Sequence, residues 1–534
     1  MRLGREVLRH SAVYSGTAIL EKIVGLVLLP FYARIFETSG YGLIGMVDTA
    51  VGVLATALYA GYYNAIVTTY HEEPLERRGR VMSTATLLQF GLSAATVPIP
   101  ALVSPWLSGV LLGDSSHYGI IILALATMVI ELTGKTASSE LLIRRESVVY
   151  SVVALLRFVA AIALNILLVL VLRVGVIGIF ISSFIAASLS ASIFLWMVLR
   201  KNGTAFDRQI ARKLLTFQLP IVPAELIHFT ARQAERVLVR IFVSLEGVGI
   251  LEMAYKFPPL LNWLVVGPFM MVWRTKSVEI GRLAHAPYAM GRMLTNMIFV
   301  MLFTGILLAV DIRPLIMLLT PEPFWRAASI ARIEILTTVL AGVVAFMEFG
   351  LIYRKWTGRL AFIRITVALG KVALGLMLIG QFGLGGAAYA ALVMETITLA
   401  WLFQQSQKAY TIHIETGRIL LLLTVAFALC IFIIVVEHLP SSPSAWVAHH
   451  ILPTLRDVLQ RTPLAGWRGG KLIALMDKST LPFATLLVNT TLAATYGLMV
   501  FIVLPEGTVS RLLGGRRNAA TTHQPAAPIP PVSL

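Results

Sequence analysis

About 14 stretches of roughly 20 apolar residues run through this chain, each long enough to cross the hydrocarbon core of a bilayer as a helix. They fall near residues 11–33, 42–68, 81–106, 117–142, 148–172, 175–199, 214–243, 246–273, 292–311, 328–352, 360–381, 383–407, 417–437 and 481–504. Backbone amides and carbonyls find no water in hydrocarbon, so a spanning segment must pair them internally, and segments of this length do so as helices. Charged residues make up only 13% of the chain and hydrophobic ones 57%, where a soluble protein carries roughly 25% charged. The expectation is an all-α polytopic membrane protein of about 14 transmembrane helices.

Arginine and lysine sort along the sequence in step with those windows. With the N-terminus placed inside, the inner segments hold Arg2, Arg5, Arg9, Arg77, Arg78, Arg80, Arg144, Arg145, Arg200, Lys201, Arg208, Arg212, Lys213, Arg354, Lys355 and Arg359, whereas the outer loops before residue 437 are poor in cations. Loop cations of this kind fix orientation, so the formal net charge of +17 reads as topology rather than nucleic-acid binding. Both termini are expected on the cytoplasmic side of the cell membrane. Cys430 is the single cysteine, which excludes a disulfide framework and a cysteine metal site.

A repeat divides the chain. Arg34-Ile35-Phe36 followed by Gly40 and Gly42 is matched by Arg240-Ile241-Phe242 followed by Gly247 and Gly249, at equivalent points of two sets of six spans. Parallel repeats of this sort build many transporters. The expected plan is an N-terminal lobe over 1–200, an amphipathic cytoplasmic linker over 201–213 and a C-terminal lobe over 214–410, the lobes enclosing a central cavity. Two further helices lie in 411–510 with a long outer loop at 438–480, and a Pro- and Ala-rich cytoplasmic tail, expected to be disordered, occupies 511–534.

Several spans carry ionisable residues, each of which costs roughly 2.5–3.5 kcal/mol at the bilayer centre unless it meets water or a partner. The seventh is the richest. At 100° per residue, Glu225, His228, Arg232, Glu235, Arg236 and Arg240 fall within an arc of about 140°, one wet face on an otherwise apolar helix. The eighth span adds Glu252 and Lys256, the first Glu21 and Lys22, the second Asp48 with Tyr63 and Asn64. Charge pairs within a span, such as Glu131 with Lys135 or Glu252 with Lys256, would merely fasten helices together. The number and register of the charges favour a polar lumen. Arg240 is set apart, because the repeat pairs it with Arg34 at the outer mouth as an end-of-helix anchor.

Arginines suit the bidentate recognition of phosphate, and flanking carboxylates, Tyr and Asn suit sugar hydroxyls. No P-loop, H-E-x-x-H, nucleophile elbow or dinucleotide fingerprint stands in a supporting context, so no enzyme activity, cofactor or metal site is expected.

The stretch "SGTAILEKIVGLVLLPFYARIFETSGYGLIGMVDTAVGVLATALYAGYYNAIVTTY" and the later "FQLPIVPAELIHFTARQAERVLVRIFVSLEGVGILEMAYKF" resemble the polysaccharide-biosynthesis branch of the multidrug/oligosaccharidyl-lipid/polysaccharide exporter superfamily. Glu235 departs from that branch, which usually has Asp there. The resemblance implies a flippase for polyprenyl-pyrophosphate-linked anionic oligosaccharides, working by alternating access among membrane lipids and beside the glycosyltransferases and polymerase of its pathway. Carried over residue by residue, it makes Lys22, Arg232, Arg236 and Lys256, with His228, Tyr63 and Asn64, the substrate contacts. Glu21, Asp48, Glu225, Glu235 and Glu252 become lumen acids that hold hydroxyls or couple to H+ or Na+. Two rivals stand beside it: a cation-coupled drug antiporter of the same superfamily, and a membrane-embedded glycosyltransferase, polymerase or ligase working from the outer loop.

Overall fold

The computed structural model describes residues 28–144, 146–283 and 285–438, together with 485, 488, 490 and 491. Glu21, Lys22, most of the last window, the outer loop beyond residue 438 and the tail lie outside the described residues. Every regular element among the described residues is a helix. Nine stretches are long and apolar enough to cross a bilayer, and a tenth is added if the bent pair Arg208–Gln218 and Val222–Phe242 counts as one span. The chain is a multi-pass membrane protein.

Two compact units divide it, one comprising 1–252 with 368–387, the other 253–367 with 388–534. The first contains α1 (Thr38–Tyr59), α2 (Tyr62–Glu72), α3 (Arg78–Thr96), α4 (Ser104–Leu112), α5 (Tyr118–Ile143), α6 (Ser147–Asn165), α7 (Ile177–Asn202), α8 (Arg208–Gln218) and α9 (Val222–Phe242), and nearly all of α10 (Leu245–Ala254). The second contains α11 (Gly267–Gly281), α12 (Ala286–Leu319) and α13 (Ala327–Tyr353). It also holds the first part of α14 (Thr357–Phe382), most of α15 (Leu384–Ala409), and α16 (Thr416–His438).

In the first unit the linker is a folded element rather than a tether. Asp207 caps α8 by accepting from the Gln209 amide at 2.8 Å, as an Asp at this position should. Ile210 and Leu214 then enter a core with Tyr62, Ile66, Met82 and Val198, while Arg208, Arg212 and Lys213 stay exposed. This helix runs to Gln218, five residues past the expected end of the linker, and α9 leaves it at a 50° bend. Pro220, without an amide hydrogen and hostile to helix in the residue before it, lies at the bend. The single window at 246–273 is likewise broken, into α10, a short helix at Pro258–Leu261 that opens on a Pro pair, a π-helical turn at Asn262–Val266 and α11.

The repeat seen in sequence meets itself in space. A Cβ on Gly42 would lie 2.0 Å from the Leu245 carbonyl oxygen, and one on Gly249 would lie 1.8 Å from the Thr38 carbonyl oxygen. The offset is 207 residues on both sides, so the two repeat-related helix starts cross reciprocally, and only glycine permits that approach.

The cytoplasmic cations are also structural. Lys213 Nζ lies 2.6 Å from buried Glu73, which Arg77 approaches to 3.9 Å. Buried Glu140 accepts from Asn202 at 2.7 Å and has Arg144 at 2.9 Å and Lys201 at 3.7 Å. The partnership with Glu73 raises the Lys213 pKa above the usual lysine range, first through the hydrogen bond and then through charge.

The second unit is built around apolar sulfur and aromatic groups. Trp273 stacks on Phe346 with centroids 4.2 Å apart, among Met270, Met290, Met301 and Met347. Its charges sit on the rim. Arg354 donates to the Ala409 carbonyl at 2.9 Å, and Arg364 reaches Glu348 at 2.7 Å.

Candidate functional site

The site of the first unit is a seam where α1 meets α9 and α10. Small residues at Gly42, Gly45, Thr49 and Gly52 fall at spacings of three, four and three, which places them on one face of α1. Each of these glycines gives its room to something specific. Gly42 takes the Leu245 backbone, Gly45 the Glu252 side chain, whose Cγ would lie 2.7 Å from an added Cβ, and Gly52 the Phe229 ring at 2.5 Å. This stripe is the signal that charge-centred reading of the sequence missed.

Polar groups run along the seam as a chain. Arg236 donates through Nε to Glu252 Oε1 and through its terminal nitrogen to Gln233 Oε1 at 2.6 Å. The Gln233 amide makes a long contact of 3.5 Å to the Thr49 hydroxyl, which donates to the Gly45 carbonyl at 2.7 Å. The Arg236 and Glu252 side chains are only 17% and 14% exposed, so this pair is largely removed from solvent. One helical position away, Glu235 turns to the other side of α9, where Lys371 Nζ from α14 lies at 2.9 Å.

The stripe expected on α9 therefore divides. Its outer half is engaged: Glu235 with Lys371, Arg236 with Glu252 and Gln233, and Arg240 with the Leu111 carbonyl at 2.7 Å. That last bond ends on the final turn of α4, where helix carbonyls lack internal partners, and it gives Arg240 the anchoring role expected from the repeat. Its inner half is open. Glu225, His228 and Arg232 are exposed, with the Arg232 guanidinium 5.9 Å from the Phe229 ring. Asp48 on α1 and Tyr63 and Asn64 on α2 are exposed too. Asp48 and Arg232 each precede a residue of the Thr49–Gln233 contact, so they stand at the same level of the seam.

Charged groups exposed from the middle of spanning helices cannot face hydrocarbon cheaply. The face carrying Glu225, His228, Arg232 and Asp48 thus belongs to a water-filled path.

Three expectations change. Glu131 pairs with Arg157 of α6 and not with Lys135 of its own helix. Glu252 pairs with Arg236 and not with Lys256, which is exposed and belongs to the second unit. Glu235 is partnered from α14, a helix the sequence assigned wholly to the C-terminal lobe. In each case a carboxylate found its cation on another helix. A side chain reaching across a packed interface is shielded from water, whereas an i, i+4 pair on one surface gains little. Lys371, Gln233 and Thr49 are the seam residues that sequence reading left out. Among the described residues, no group of three or more His, Cys, Asp or Glu side chains is placed to hold a metal ion.

Residues 7–273 match the family model described as polysaccharide biosynthesis protein. No curated protein matches the chain. Among solved structures, lipid II flippase MurJ in an inward closed conformation is similar with a TM-score of 0.67 at 13% identity, over 90% of this chain and 98% of that one. A multidrug resistance MATE family transporter of the MOP superfamily is similar in its inward-facing conformation, with a TM-score of 0.57 at 13% identity over 76% of this chain and 96% of that one. An outward-facing MATE conformation gives 0.50 at 14% identity over 78% and 97%. At these identities the likeness is one of fold, and the fold is that of this transporter superfamily.

Proposed function

Because the chain belongs to the family of polysaccharide biosynthesis proteins, we propose that it flips a polyprenyl-pyrophosphate-linked oligosaccharide across the cytoplasmic membrane by alternating access. It moves the sugar lipid made by the enzymes of its pathway and does not make the polymer. The observation that carries this reading is the open inner half of α9, where Arg232 and His228 are exposed beside Glu225 in a spanning helix. Arg232 holds pyrophosphate or sugar-acid oxygens as a planar two-pronged donor. His228, Tyr63 and Asn64 address sugar hydroxyls. Asp48 and Glu225, exposed along the same seam, reset the charge of the path and serve any coupling to H+ or Na+.

Arg236 acts differently. With Glu252 and Gln233 already on it, it holds the seam in register and presents the residues beside it. A multidrug exporter of the same fold would favour an acidic path for cationic compounds, and the exposed arginine argues for an anionic cargo.

Reconstituted vesicles carrying a radiolabelled or fluorescent sugar-linked polyprenyl pyrophosphate test the reading. Arg232→Ala should abolish most of the flipping with the protein still folded, and Arg232→Lys should restore part of it. Full flipping by Arg232→Ala overturns the assignment.

A further inference from the structure

A carboxylate buried inside a membrane protein is held charged only if a cation comes with it. That cation can be a proton, an ion taken from solution, or one attached to the chain. Glu235 is 3% exposed, and the structure supplies the third kind, since Lys371 Nζ lies 2.9 Å from its Oε1. We propose that Lys371 is a tethered counter-ion that occupies the place an external monovalent cation would otherwise take at Glu235, so that this carboxylate binds neither sodium nor potassium. The inference is independent of which substrate the protein carries.

The backbone is shaped for this arrangement. One turn beyond Lys371 stands Gly375, and a Cβ there would lie 3.1 Å from Leu238 Cδ1. Leu238 is one turn beyond Glu235, so the two helices meet at two successive turns, once through charge and once through a glycine that lets them close up. The contact continues where a Cβ on Gly247 would lie 3.2 Å from Leu384 Cδ2. The stretch 368–387 belongs to the same compact unit as α9, apart from the first half of its own helix. Its connection to that unit is thus a packed interface with the ion pair inside it.

Chemistry agrees with the geometry. An ammonium on a four-carbon stem is compact and carries three donors that can be turned toward oxygens, so it fills the space of a partly desolvated alkali cation. Glu252, the neighbouring shielded acid, is filled in the same manner by Arg236. Both shielded carboxylates of this region carry their cation covalently, and the acids left open to solvent are Asp48 and Glu225.

The test uses the purified full chain, with thermal unfolding followed in NaCl, KCl and choline chloride at equal ionic strength and mildly alkaline pH. Wild type should melt at the same temperature in all three. Lys371→Met removes the ammonium and leaves the carboxylate. That variant should melt several degrees higher in NaCl or KCl than in choline chloride, because a ligand that binds only the folded state raises its stability by mass action. The double variant Glu235→Gln/Lys371→Met should lose that dependence. Equal melting of Lys371→Met in the three salts overturns the proposal. So does a sodium- or potassium-specific rise in wild type that Glu235→Gln abolishes. Should Lys371→Met fail to yield folded protein, the comparison of wild type with Glu235→Gln decides by itself: a cation-specific rise in wild type that Glu235→Gln abolishes overturns the proposal, and its absence from both supports it.

Discussion

The inner and outer halves of α9 carry the same kinds of residue on the same face, yet they do opposite things. The inner half shows Glu225, His228 and Arg232 to solvent, whereas the outer half spends Glu235, Arg236 and Arg240 on Lys371, Glu252 and the Leu111 carbonyl. The difference lies in the neighbours. Opposite the outer half, α1 offers Gly42 and Gly45 and lets α10 approach to backbone contact, which brings Glu252 within reach. Charge on a spanning helix is therefore a site only where packing leaves it open, and a fastening where packing closes over it.

The largest effect should come from the closed half. Arg236→Ala leaves Glu252 shielded and without its guanidinium, a loss of about 3–5 kcal/mol by the usual cost of breaking a buried pair. Thermal unfolding in detergent measures it, and Arg236→Met combined with Glu252→Met should recover most of the loss. An Arg236→Ala protein as stable as wild type would erase the distinction between the halves.

Next come the glycines that create the closeness. Gly249→Ala and Gly42→Ala each drive a methyl into a backbone carbonyl and should each cost about 1–3 kcal/mol. Because the contact is reciprocal, the double variant should be less damaging than the two losses added together. Strict additivity would mean that the two glycines act at independent places.

The open half should behave in the reverse sense. Arg232→Ala should change stability by no more than about 0.5 kcal/mol, as exposed substitutions generally do, while transport falls severely. A melting curve and a flipping assay on one preparation separate the two readouts.

The smallest effect belongs to the cytoplasmic linker. Glu73 raises the Lys213 pKa, so the stabilisation from this pair is complete at neutral pH and fades as pH climbs through the raised value. Wild type should lose stability in strong alkali slightly more than Lys213→Met does, and identical alkaline limbs would remove the linker pair from the account.

Local pattern made much of this visible beforehand. The apolar windows gave the membrane class, and the period of 3.6 placed the charges of α9 on one face. A short repeated motif located the glycines that meet at the crossing of α1 and α10. Other features were not legible. The bend at Pro220 was hidden because an apolar window reads through a proline when its flanks are hydrophobic. Glu131 was given the wrong partner because spacing on one helix says nothing about Arg157 on the next. Lys371 went unnoticed because it stands 136 residues from the carboxylate it serves.

What the sequence determined by itself was everything that follows from transfer to lipid and from helical period: the class, the wet face, the inner and outer ends of the spans. Both are properties of a segment and its solvent. Only the tertiary structure decided which charges are spent and which are left for a ligand, because pairing depends on where two helices cross and how closely their backbones come. That closeness is set by glycines on one helix and by side chains hundreds of residues away on another.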